Sequence, residues 1–334
     1  MKRRNLVAVT GALLQAVALP SLAAAPPALD RSLTVIDVAG HAVPVVQGGL
    51  YDRFRSNPPL VVIEQEAPDV DLSWLRTLRK EKVDIGFDTY SPNFYYRNSS
   101  LTAVFTANLA RLRELIPPVL AQTVQPVQVW PGRGLVAITG YRYRLCDNDS
   151  YNEVSISIVT NEPGSTSLGP LTLIGQSLSK GFWGYVLKLP VNTELARVRG
   201  VVGYNLPKWL AEIDFREDGP QVGFAVMDSA TGQVDFALEA DKLDELSAEA
   251  ELVTNNFTNV DRAGQPTYAY AVSRLVRHAS STNGKAVRLT AGNGALGTFV
   301  ATLKLGKMIR YQYVPKFQSA LYAPRPLAAR DASR

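Results

Sequence analysis

Leu135-Val136-Ala137-Ile138-Thr139-Gly140-Tyr141-Arg142-Tyr143-Arg144-Leu145 and, a few residues on, Glu153-Val154-Ser155-Ile156-Ser157-Ile158-Val159-Thr160 form the stretch on which the fold turns. Successive side chains of a strand point to opposite faces. Glu153, Ser155 and Ser157 therefore share one face, and Val154, Ile156 and Ile158 share the other. The polar face meets either a lumen or bulk water. Likewise Tyr141 and Tyr143 fall on one face and Arg142 and Arg144 on the other, which is amphipathic strand patterning rather than the interleaving of a nucleic-acid binder.

The same style runs outward along the chain. Strands are expected at Leu101 to Thr106, Gly184 to Leu189, Val222 to Met227 and Val234 to Leu238, the last two joined by a turn at Ser229-Ala230-Thr231-Gly232. Further strands are expected at Thr267 to Leu275, Ala286 to Thr290 and Thr298 to Leu305. Helical spacing appears in three places. Leu72, Leu75 and Leu78 predict a helix from Leu72 to Lys82 with a solvated basic face. Leu109, Leu112, Leu115 and Ile116 predict one from Asn108 to Ile116, stopped by Pro117-Pro118. Thr193 to Arg199 is a short crossover ended by Gly200. No repeat and no linker divides the chain. Residues 24–324 are expected to form one domain, with 24–90 as an N-terminal extension packed on it and 325–334 as a loose tail.

Lys2, Arg3 and Arg4 precede an uncharged, mostly apolar run from Leu6 to Leu19, and Ser21-Leu22-Ala23 supplies small residues for cleavage. Residues 1–23 are thus expected to be a removed export signal, by either the general or the twin-arginine route, leaving a periplasmic or secreted protein. No stretch is long and apolar enough to span a bilayer. The 334 residues carry 35 Lys and Arg against 30 Asp and Glu, a formal +5 that suggests an acidic partner. Removing residues 1–23 takes three basic residues and leaves 32 against 30. No nucleic-acid partner is expected; a homo-oligomer is left open.

Two histidines, His41 and His278, and one cysteine, Cys146, exclude a His-rich metal cage, a cysteine metal knuckle and an intramolecular disulfide. No Gly-x-Ser-x-Gly elbow supports a serine triad. The acidic run Glu239, Asp241, Asp244, Glu245, Glu249 and Glu251 lacks the spacing of a calcium loop and reads as a solvated face. Gly292-Asn293-Gly294-Ala295-Leu296-Gly297 matches the dinucleotide fingerprint by letter. Its C-terminal neighbours, Thr298 to Leu303, are β-branched and aromatic, and no acidic residue lies about 20 positions on, so a glycine-rich hairpin loop is expected.

A lysine remains as the best nucleophile. In Leu206-Pro207-Lys208-Trp209-Leu210, extension encouraged by Pro207 would put Leu206, Lys208 and Leu210 on one face and wall the amine with leucines. An ordinary lysine has a pKa near 10.4, and desolvation can lower it by several units, at about 1.36 kcal/mol each. The alternative is a lysine that snorkels to the surface from a strand end.

Four segments, in order, resemble the acetoacetate decarboxylases: Leu112-Arg113-Glu114-Leu115-Ile116-Pro117, Tyr151-Asn152-Glu153, Tyr185-Val186-Leu187-Lys188-Leu189, and Gly200 followed by Pro207-Lys208. The resemblance spans roughly Asn98 to Tyr322. It implies an α+β fold, mostly antiparallel β, built as a closed or cone-shaped β-barrel with a few peripheral helices and a ligand pocket inside. It assigns the imine-forming role to Lys208 and a pocket role to Glu153. Arg97 is the candidate to hold a substrate carboxylate, and Tyr204 and Trp209 are candidates to line the pocket. This chain departs from the family pattern in four ways. The family's second lysine is Trp209, its Arg-Glu after the glycine is Val201-Val202, its first pocket glutamate falls on Ile138, and its substrate-facing arginine falls near Asn98, one residue from Arg97. The implied activity is an exported Schiff-base lyase that decarboxylates a β-keto acid. Imine-dependent aldol or dehydration chemistry on a larger oxo acid is the alternative, as is a non-catalytic barrel that binds a small ligand. The partner is a small oxo acid or ketone, and no metal or organic cofactor is required.

Overall fold

A computed structural model describes residues 32–328 of the protein. The expected export signal lies outside the described residues. The chain begins with β1 (Leu33–Val38), β2 (His41–Val46), α1 (Leu50–Phe54), α2 (Leu60–Glu66), β3 (Glu81–Asp84) and β4 (Asp88–Ser91). Next come β5 (Asn93–Asn108), α3 (Leu109–Leu115), α4 (Pro118–Ala121), β6 (Arg133–Cys146), β7 (Tyr151–Val159), α5 (Pro170–Ser179), β8 (Gly181–Lys188) and α6 (Glu194–Tyr204). After these run β9 (Ile213–Arg216), β10 (Gln221–Met227), β11 (Val234–Asp241), β12 (Glu251–Val260), β13 (Pro266–Ser281), β14 (Val287–Ala291), α7 (Ala295–Thr302), β15 (Met308–Leu321) and β16 (Arg325–Pro326).

Seven strands close into a barrel in the order β12-β8-β7-β6-β5-β15-β13, with β13 pairing back onto β12. Its pairings are antiparallel except for β12 with β8. The fold is thus the mostly antiparallel α+β barrel expected. A second sheet, β14-β11-β10-β9, and α7 lie against the outside of the wall. The main core fills that space, where Leu101, Val136, Ile138, Val154 and Ile156 pack with Phe224, Phe236, Leu238, Leu296 and Val300. The apolar face of β7 therefore points out of the barrel and its polar face into the lumen. Gly140 permits this close packing, since a Cβ there would sit 2.8 Å from Phe224 Cε1. Residues ahead of β5 pack on α6 and on the wall: Val43 and Val45 meet Leu195 and Val198 of α6, and Ile63, Leu72 and Leu75 meet Phe94 and Tyr96 of β5.

Local expectations fail where tertiary contacts outweigh them. The helix expected from Leu72 to Lys82 is reduced to a single 3₁₀ turn, Leu75–Thr77, and Glu81–Asp84 is a strand. Leu72 and Leu75 are buried as their spacing implied, but Leu78 is extended and Lys80 is drawn inward to the buried Asp147 carboxylate at 2.5 Å. The crossover helix does not end at Gly200 but runs to Tyr204, capped by Thr193 Oγ1 and closed by Asn205 at φ 49°. The strand expected from Thr298 is instead α7. Leu296, Val300 and Leu303 recur at helical spacing on the core, and that burial overrides the β-propensity of Thr298 and Phe299. Gly292 to Gly297 therefore joins a strand to a helix and is not a hairpin loop. The N–H groups of Leu296 and Gly297, in the first turn of α7, donate to the buried Asp235 carboxylate at 2.8 and 3.1 Å, which occupies the position a phosphate would need. The tail expected to be loose from residue 325 is paired at its start, Arg325 and Pro326 lying opposite Tyr268 and Thr267.

Candidate active site

Lys208 reaches the barrel by way of the segment after α6. Backbone bonds from Leu189 to Pro207 (3.3 Å), Val191 to Trp209 (3.0 Å) and Ala211 to Val191 (2.9 Å) strap residues 207–211 alongside residues 189–191. Val191 also bridges to Glu153 on β7, so this one residue brings the strap and the glutamate together. Lys208 N–H donates to Leu206 O at 2.7 Å, a tight turn about Pro207 that breaks the expected alternation. Leu206 is buried with Leu189 and Tyr204, Leu210 is exposed, and the expected leucine wall is absent.

The wall is aromatic instead. Lys208 Nζ lies 2.5 Å from Glu153 Oε2, with the two side chains only 8% and 10% exposed. Nζ also lies 5.7 Å from the centre of the Tyr151 ring. Tyr143 packs against Tyr95 and Tyr151, at ring separations of 4.6 and 4.7 Å, and stacks on Tyr141 at 5.4 Å. The Tyr95 and Tyr151 hydroxyls meet at 3.1 Å. Burial first, and the nearby Glu153 charge in addition, hold the Tyr95, Tyr143 and Tyr151 phenols well above their ordinary range and push Tyr141 up to about 12. These phenols are neutral hydrogen-bonding groups at physiological pH. The site thus combines an amine, a carboxylate within proton-transfer distance and an apolar, water-poor enclosure.

A cavity of about 320 Å³ occupies the lumen, lined by Ser100, Thr102, Thr139, Tyr141, Ser155 and Ser157 among others. Lys208 and Glu153 do not line it. Tyr141, paired in register with Glu153, ends the cavity on the side of the ion pair.

The other sequence candidates are dispersed. Arg97 is turned to Asp69, an exposed partner on the segment ahead of β5, and is not brought to the ion pair. Tyr204 is buried at the end of α6, where burial pushes it up to about 12. It packs with Leu189 and Leu206. Trp209 faces away from Lys208, as adjacent residues of an extended segment do, and lies against Lys188 Nζ at 5.9 Å. Trp209 lines a separate cavity of about 290 Å³ with Asp228, Asp235 and Leu296. The tyrosine cage was not anticipated as part of the site. The shared parity of Tyr141 and Tyr143 was visible in the sequence, but their convergence with Tyr95 and Tyr151 depends on strand register. Among the described residues no three His, Cys, Asp or Glu side chains are grouped to hold a metal, and no helix is long and apolar enough to cross a membrane.

A family model described as acetoacetate decarboxylase matches residues 81–302. No curated protein matches the sequence. Similar solved structures include an acetoacetate decarboxylase from Legionella pneumophila subsp. pneumophila str. Philadelphia 1, at 10% identity over 71% of this chain and 87% of that one, with a TM-score of 0.49. The enduracididine biosynthesis enzyme MppR, complexed with the condensation product of pyruvate and imidazole 4-carboxaldehyde, is similar at 13% identity over 71% and 90%, with a TM-score of 0.49. An acetoacetate decarboxylase-like enzyme from Sphingomonas wittichii RW1 shares 14% identity over 71% and 93%, with a TM-score of 0.41.

Proposed function

The chain belongs to the acetoacetate decarboxylase family, and on that premise we propose that it is a Schiff-base lyase acting on a β-keto acid through Lys208. The observation that carries this is the buried Lys208 Nζ at 2.5 Å from Glu153 inside the tyrosine cage. Glu153 takes the proton from Nζ, and the amine attacks the substrate ketone. A C–N bond forms, the carbonyl oxygen leaves as water, and a protonated imine results. The bond to the carboxylate carbon then breaks, its electron pair enters the imine, and CO₂ departs. Protonation of the resulting enamine carbon and hydrolysis release the ketone and restore the amine. Tyr141 turns aside to admit the substrate, because the lumen ends on its ring. Arg97, held by Asp69, takes no part in this scheme.

Residues 1–23 are part of the same proposal as an export signal. The mass of the mature protein from its native host tests this, a chain beginning near Ala24 being expected and an intact N-terminus counting against it. The catalytic proposal is tested by adding borohydride with acetoacetate or pyruvate and reading the intact mass. One adduct per chain is expected, absent in Lys208→Ala. No mass shift with a panel of oxo acids, or an unchanged adduct in Lys208→Ala, overturns imine chemistry and leaves a ligand-binding barrel as the better account.

A further inference from the structure

Among apolar side chains such as Val104, Val186, Val253 and Leu275, the lumen carries a band of hydroxyl groups on neighbouring strands, which a small, unsubstituted keto acid does not use. Thr102 on β5, Thr139 on β6 and Ser155 on β7 stand opposite one another in register and line the cavity. They form a row one pleat repeat from the row of Ser100, Tyr141 and Glu153, a step of about 7 Å along the strands. Thr102 and Thr139 share a hydrogen bond at 3.0 Å, as do Ser155 and Ser157 at 2.8 Å. Thr139 also bonds the Tyr141 hydroxyl, so the Thr102–Thr139–Tyr141 chain keeps one proton and the Ser155–Ser157 pair keeps another, with free lone pairs on both for a ligand. Ser273 on β13 adds a hydroxyl oxygen, its proton engaged with Ser319 at 2.9 Å, and Asn255 and Gln312 add amides on β12 and β15. Charged residues at the cavity are Lys180, Glu251 and Arg310, with Lys180 and Glu251 paired at 2.7 Å and Arg310 exposed. The volume, about 320 Å³, lies at the lower end of the range for sites that enclose a whole small organic ligand.

An apolar ligand would strip water from the protons and lone pairs that these pairings leave open and offer nothing in its place. A ligand with its own hydroxyls replaces the lost water. We infer that the substrate is a polyhydroxylated oxo acid, an open-chain sugar-acid type of molecule, whose carbonyl reaches Lys208 while its hydroxyls meet the Thr102, Thr139 and Ser155 row. This rests on the imine role proposed for Lys208 and adds the substrate class. In the trapping reaction the Lys208 amine and the ligand carbonyl form an imine with loss of water, and borohydride supplies the hydride that reduces it.

The test compares two six-carbon 2-oxo acids of equal length under borohydride, 2-oxohexanoate and a 2-oxo-3-deoxy acid with hydroxyls on carbons 4 to 6, with acetoacetate as a short β-keto reference. The hydroxylated compound is expected to trap Lys208 at a half-saturating concentration at least tenfold below that of 2-oxohexanoate. In Thr102→Val/Thr139→Val, which keeps side-chain volume and removes two hydroxyls, that ratio is expected to collapse toward one. Adducts formed without the tenfold preference, or a preference untouched by the double substitution, overturn the substrate class and leave the imine chemistry standing. No adduct with any of the three compounds overturns the imine chemistry, and this inference with it.

Discussion

Gly200 and Lys208 are in direct contact across the turn that ends α6. A Cβ built on Gly200 would sit 2.5 Å from Lys208 Cε, so the lysine side chain lies on bare backbone on its way to Glu153. The glycine is not there for backbone freedom, since it sits within the helix; it leaves room for the side chain that carries the amine.

Gly200→Ala is therefore expected to displace Nζ rather than to unfold the protein. A misplacement near 1 Å can cost about 10²-fold in rate. Borohydride trapping should slow by about that factor while the melting temperature changes little, because alanine favours the helix. Equal trapping in the variant would show that the contact does not position the amine.

Breaking the ion pair leaves a buried charge without its partner. Glu153→Gln is expected to destabilise the fold by about 3–5 kcal/mol in denaturant unfolding, and the double variant Glu153→Gln/Lys208→Met to recover most of that loss. Additive losses in the double variant would mean that the two groups are not coupled.

Two buried tyrosines, one in the cage and one at the end of α6, predict alkaline sensitivity. Burial holds the Tyr141 and Tyr204 phenols at about 12, against an ordinary value near 10, so their protons bind more tightly in the folded state. The associated stability is fully present below about pH 10 and is lost as pH rises toward 12. Unfolding free energy should fall across that window, alongside the rise in tyrosinate absorbance. Tyr141→Phe should flatten the slope, and an identical slope in the variant would argue against a buried phenol.

Asp235 is expected to matter as a helix cap. Asp235→Ala leaves the Leu296 and Gly297 N–H groups without their acceptor and should cost about 1–3 kcal/mol in thermal unfolding. Nucleotides should not raise the melting temperature of the wild-type protein. Stabilisation by a dinucleotide would reopen the glycine-rich segment as a binding loop.

Arg97→Ala tests the one charged substrate contact expected from sequence. Its exposed pair with Asp69 is worth about 0–1 kcal/mol, and neither stability nor the concentration dependence of trapping should change measurably. A marked rise in half-saturating oxo-acid concentration would return Arg97 to the pocket.

The sequence alone determined the elements whose pattern is local and strong. The alternation of Val154, Ile156 and Ile158 with Glu153, Ser155 and Ser157 specified a strand with one apolar and one polar face, because the pleat sends neighbours to opposite sides. Asn108 and the leucines after it specified α3 by the same local logic. The Lys208 strap combined a legible apolar setting with a family resemblance. Tertiary structure decided which face of β7 turns inward, since that depends on the second sheet supplying Phe224 and Phe236 to the outer face. It turned Thr298 to Thr302 from a β-rich run into a helix, because core burial and the Asp235 cap outweigh small intrinsic propensities. It also joined Lys208 to Glu153, 55 residues apart, and closed four tyrosines from β5, β6 and β7 around them. Such contacts follow from strand register and barrel closure, which are set by packing across the whole chain and leave no mark in the spacing of any one segment.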